Sequence, residues 1–114
     1  MILITPEIRA ALLANGTRSR TDPAFDPMPV VKLFTPDAGA TWLLTELDPD
    51  DPDIAFGLCD LGLGFPELGS VRISEIEAVR GALGLPVEPD LHFEADRALS
   101  AYADAARAAE RIVA

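Results

Sequence analysis

Residues 30–61 read VVKLFTPDAGATWLLTELDPDDPDIAFGLCDL, three extended apolar runs separated by two brief turn-forming stretches. Residues 30–34 are β-branched and aromatic, residues 41–47 carry Thr, Trp and Leu, and residues 54–61 are apolar nearly throughout, so all three suit a pleated, half-buried surface. Between the first two, Pro36-Asp37-Ala38-Gly39 presets one backbone angle with Pro and frees another with Gly. Between the last two lies Asp48-Pro49-Asp50-Asp51-Pro52-Asp53. Links this short rule out parallel crossovers, which need a dozen residues or more, so the strands should form an antiparallel meander.

Working outward, Thr5, Pro6 and Glu7 suit the start of a helix, with Ile8, Ala11 and Leu12 on its buried stripe and Asn15-Gly16 as its stop. Residues 17–29, broken by Asp-Pro, Asp-Pro and Met-Pro pairs, read as a surface loop. On the other side, the glycine-spaced run at residues 61–69 reads as a bent connection to a fourth strand at residues 70–73. Ser74 and Glu77 match a capping box for a middle helix through Ile76, Val79 and Leu83 to Gly84. Residues 87–93 read as extended. Residues 98–113 read as a packing helix burying Tyr102, Ala105, Ala106, Ala109, Ile112 and Val113. The expected fold is a single α+β domain spanning residues 1–114, with a mainly antiparallel sheet of four or five strands packed with N-terminal, middle and C-terminal helices.

Composition narrows the function classes. The chain has 114 residues, 49% of them hydrophobic, which excludes wholesale disorder, and its apolar stretches are too interrupted for a membrane span. Cys59 stands alone and no secretory leader is evident, so a cytoplasmic location is expected. A formal charge of −10 disfavours direct binding to nucleic acid or anionic lipid and suits either a basic protein partner or simple solubility, the second at least as well as the first. From residue 33 to residue 71 there is no Lys or Arg, while Asp37, Glu46, Asp48, Asp50, Asp51, Asp53, Asp60 and Glu67 all carry negative charge.

Glu46, Asp48, Asp50, Asp51, Asp53, Asp60 and Glu67 are therefore the candidate acidic binding surface. The prolines at 49 and 52 and the missing glycine do not match a calcium loop, and a solvated turn explains the same run. The glycine run lacks the helix start and Lys-Ser/Thr pair of a phosphate loop. If residues 90–94 are extended, Asp90, His92 and Glu94 share one face and could form a metal or general-base site, although one His and one Cys exclude the usual structural zinc sets. A hydrogen-bonded or solvated His on an edge strand explains the pattern better than a functional site does. Cys59 reads as a structural thiol, no serine sits in a nucleophile elbow, and Trp42, Phe34, Phe56, Phe65 and Phe93 are assigned first to the core.

The segments 30–34, 40–47, 54–62 and 66–69, together with the opening Leu-Ile-Thr-Pro-Glu-Ile-Arg-Ala-Ala-Leu-Leu-Ala-Asn-Gly and the later Asp90-Leu91-His92-Phe93, resemble an uncharacterised bacterial family, domain of unknown function twenty-nine fifty-eight. The resemblance spans nearly the whole chain, and residues 42–69 are its specific part. It implies a short cytoplasmic protein often carried on plasmids and integrated mobile elements, and it supplies no catalytic residues. The resulting expectation is a non-enzymatic accessory protein, with an acidic decoy for a basic partner as one form and no cofactor. The alternative is a small metal-binding protein or metal-dependent enzyme using Asp90, His92 and Glu94 with carboxylates such as Asp60 or Glu67. Oligomeric state is open.

Overall fold

A computed structural model describes residues 2–114. The elements are α1 (Pro6–Ser19), β1 (Val31–Phe34), β2 (Thr41–Asp48), β3 (Asp51–Asp60), β4 (Glu67–Arg72), α2 (Ile73–Ala78), β5 (Glu88–Pro89) and α3 (Leu99–Ala109). The sheet has five strands in the order β4-β3-β2-β1-β5, and every pairing is antiparallel. The meander and the α+β class are as the short links require.

Hydrophobic layers cover both faces of the sheet. Trp42, Leu44, Leu47 and Ala55 pack with Leu12, Ile73, Ile76 and Val87, while Leu43 and Leu58 pack with Leu99, Tyr102, Ala103, Ala106 and Ile112 of the α3 layer. Leu44 and Leu47 share a face despite an odd separation, which regular pleating forbids. A register shift between Leu44 and Glu46 resolves this, leaving Thr45 as an extra, buried residue whose hydroxyl donates to the Phe56 carbonyl at 3.2 Å.

Beyond the end of β1, helix α1 covers the edge of β2. The Asn15 side-chain amide donates to the Thr45 carbonyl at 2.9 Å, and Gly16 lies so close that an added Cβ would stand 1.9 Å from the Leu47 carbonyl oxygen. These two residues therefore do not stop the helix, which runs on to Ser19. Asn15 satisfies a strand carbonyl, and the bare Gly16 backbone allows the approach. Ala11 is exposed, and the buried positions of α1 are Leu12 and Gly16.

Other boundaries also move. Strand β4 begins at Glu67, and Ile73 already belongs to α2. The Ser74 amide and hydroxyl both donate to Asp53, at 3.0 and 2.7 Å, so no capping box with Glu77 forms. Helix α2 ends at Ala78, and the chain then makes an Arg80–Pro86 bridge held by Asp37, which accepts from the amides of Leu83 and Leu85 at 2.7 and 3.2 Å. Helix α3 ends at Ala109, where Glu110 takes a left-handed conformation at φ 60°. Ala109 and Val113 are consequently exposed, while Leu99 and Ala103 are buried. Of residues 17–29, the first three belong to α1, and Asp26 caps α3 through the Ser100 amide and hydroxyl.

Candidate functional site

The acidic run folds as the β2–β3 hairpin, with Asp48 opposite Asp51 and only Pro49 and Asp50 at the tip. Two arginines distant in sequence reach it. Arg20 from the end of α1 contacts Asp48 at 2.8 Å and Asp50 at 2.9 Å, and Arg72 from β4 contacts Asp51 at 3.3 Å and Asp53 at 3.5 Å. The Asp50 amide and then Arg20 hold the Asp48 carboxyl below its usual range, and the Ser74 donors followed by Arg72 do the same for Asp53. Four aspartates thus share two internal counter-ions, and the hairpin is less negative than its sequence.

Asp60 does not belong to a surface patch. Its residue is 3% exposed, with Oδ1 accepting from the Gly62 amide at 2.8 Å and Oδ2 from the Ile112 amide at 2.9 Å. The carboxylate is a buried clamp joining β3 to the C-terminal tail, because the buried Ile112 amide would otherwise lack a partner. Glu67 remains exposed at the start of β4. Glu46 is different again: its Oε2 is shielded from solvent and has no hydrogen-bond donor. Cys59 is half-buried, and burial pushes its thiol up, away from the reactive thiolate form.

Residues 90–94 are not extended. Glu88 and Pro89 pair with β1 and the Asp90 amide donates to the Lys32 carbonyl at 2.9 Å, after which Leu91 and His92 turn, the His92 amide donating to Asp90 Oδ1 at 2.9 Å. That hydrogen bond, with Lys32 at 3.4 Å from the other oxygen, holds the Asp90 carboxyl below its usual range. Asp90, His92 and Glu94 line one open hollow with Asp96 and Tyr102, but the strand-like alternation that was to align them is lost. Among the described residues, no group of three or more His, Cys, Asp or Glu side chains is gathered to hold a metal ion.

The feature missed in the sequence is apolar. Leu61, Leu63 and Phe65 are 63%, 73% and 78% exposed on the loop between β3 and β4, and Leu68 on β4 is 40% exposed. Phe65 is thus not a core residue. Gly62 and Gly64, at φ 81° and 87°, twist the loop so that its large side chains point away from the sheet layers. The pair Gly62 and Gly64 was the available signal, because glycine alone takes positive φ freely and so permits the sharp bends that turn neighbouring side chains outward. The loop flanks β4, an edge strand paired only with β3.

Among the described residues, no helix is long and apolar enough to cross a membrane. No curated protein and no solved structure matches the chain. A family model does match, over residues 3–113, and its description is protein of unknown function DUF2958. With that match covering essentially the whole length, the chain belongs to the DUF2958 family.

Proposed function

We propose that this protein is a non-enzymatic, cytoplasmic accessory factor of mobile elements that acts by binding a basic protein. The observation that carries the reading is the run of exposed large apolar residues Leu61, Leu63 and Phe65 on the loop and Leu68 on β4, which among the described residues is an edge strand with no partner on its outer side. Apolar side chains collected on one patch mark contact surfaces, and an open strand edge offers backbone hydrogen bonds to an extended segment. The net charge of −10 complements a segment that carries Lys or Arg among apolar residues, and the loop hollow holds two acids, Glu67 and Glu110, against Arg107, which is paired with Asp104. The hairpin acids contribute long-range attraction, since their nearest positive charges are already their own arginines.

The test is affinity capture from native lysate with wild-type and Phe65→Asp baits at low and high salt. The expected result is a basic protein held by the wild type, released by salt and absent from the variant. Equal recovery by both baits would exclude the loop as the contact, and recovery of no basic protein at low salt would exclude the partner.

A further inference from the structure

Glu46, Phe56 and Ser70 lie opposite one another on β2, β3 and β4, and so form a row across one face of the sheet. This row lines a cleft of about 260 Å³, which Ile54 also lines and Ser19 and Arg20 border from α1. The volume is several times the roughly 30 Å³ occupied by one water molecule. Glu46 contributes a shielded carboxylate oxygen with no donor, an arrangement that favours arrival of a positively charged hydrogen-bond donor. Arg20, bonded through one guanidinium nitrogen to Asp48 and Asp50, makes no hydrogen bond to Glu46. Glu46 and Asp48 against Arg20 leave the cleft walls net negative.

We infer that this cleft is a receptor for a Lys or Arg side chain of the basic partner, the cationic head meeting Glu46 and the aliphatic stem lying on Ile54 and Phe56. The inference rests on the reading that the protein binds a basic partner, and adds a specific anchor to it. Phe56 supplies an aromatic surface suited to a guanidinium, and Ser70 places a hydroxyl in the same row. The cleft lies on β2–β4 near the hairpin base, and the exposed apolar residues lie on the β3–β4 loop.

The experiment is an NMR titration with Nα-acetyl-arginine methylamide and with its neutral citrulline counterpart. The arginine compound should give saturable shifts at the amides of Glu46, Phe56 and Ser70, the citrulline compound none. Binding should weaken about tenfold in Glu46→Gln, the loss of one charge-assisted contact. Unsaturable shifts spread over the exposed acids, equal shifts with citrulline, or unchanged affinity in Glu46→Gln would each overturn the cleft assignment. Because the citrulline comparison uses the wild-type chain, it decides the matter even if Glu46→Gln unfolds. Cleft binding without Phe65-dependent capture of a partner would sink the apolar-loop reading alone.

Discussion

The β2–β3 hairpin and the β3–β4 loop are adjacent connections of one sheet, and they treat their conspicuous side chains in opposite ways. At the hairpin, Asp48, Asp50, Asp51 and Asp53 are met by Arg20 and Arg72, and Asp53 also takes both donors of Ser74. On the loop, Leu61, Leu63 and Phe65 remain largely exposed. The charged connection is internally engaged and the apolar one is not. Availability to a partner therefore follows from what a side chain already touches, and a dense run of one residue type does not measure it.

Asp60 stands at the boundary between the two regions and should give the largest effect on stability. Removing its carboxylate leaves the buried Ile112 amide without an acceptor, at a cost of about 1–3 kcal/mol, and also frees the Gly62 amide of the exposed turn. Asp60→Ala should lower unfolding free energy by about 3 kcal/mol in a urea titration. Asp60→Asn keeps one acceptor oxygen and should lose less. A loss no greater than that of an exposed hairpin aspartate would place Asp60 back among the surface acids.

Gly16 tests the hairpin from its other side. On an exposed helix, Gly→Ala stabilises by nearly 1 kcal/mol, but here the new methyl would meet the Leu47 carbonyl and the Pro49 ring. Gly16→Ala should destabilise by about 2 kcal/mol, the range for forced overpacking, and calorimetry reads the sign directly. Stabilisation would mean that α1 does not seat against the hairpin base.

Phe65→Asp sharpens the contrast because a side chain this exposed supports little of the fold. Its unfolding free energy should stay within about 0.5 kcal/mol of wild type, while capture of the partner is lost. A large fall in stability would show that the loop packs on the body of the protein instead of facing outward.

The meander was legible because its evidence is local: turn residues and link lengths decide antiparallel pairing without reference to the rest of the chain. The extent of α1 was not, because the Asn15-Gly16 stop signal is overridden by Thr45 and Leu47 on a strand about thirty residues away. Asp60 misled for the same reason, its second donor being Ile112. Ser74 resembled a helix cap until Asp53 was placed beside it. For the candidate site, the acids were visible but their arginines lay outside the acid-only segment, at positions 20 and 72. The unpartnered oxygen of Glu46 depends on strand register and cleft shape, which no local pattern records.

The smallest predicted effect concerns pH and separates the hairpin from the loop most cleanly, since the loop's exposed Leu61, Leu63 and Phe65 do not titrate. Asp48 and Asp53 are held below their usual range, so in acid the unfolded chain takes up protons before the folded one does. Their stabilisation is complete above the ordinary aspartate value and is lost as pH falls through the lower folded values. Because these side chains are exposed, solvent and salt screen the arginine contribution and the fall is shallow. Urea midpoints should hold steady down to the ordinary aspartate range and then decline, with Ser74→Ala reducing the decline because it removes the hydroxyl that is the leading influence on Asp53. High salt should reduce the part due to Arg20 and Arg72 more than the part due to the hydroxyl. An acid profile identical in wild type and Ser74→Ala would mean that the Asp53–Ser74 hydroxyl contact carries no stabilisation and that Asp53 is held only by its arginine and the Ser74 amide.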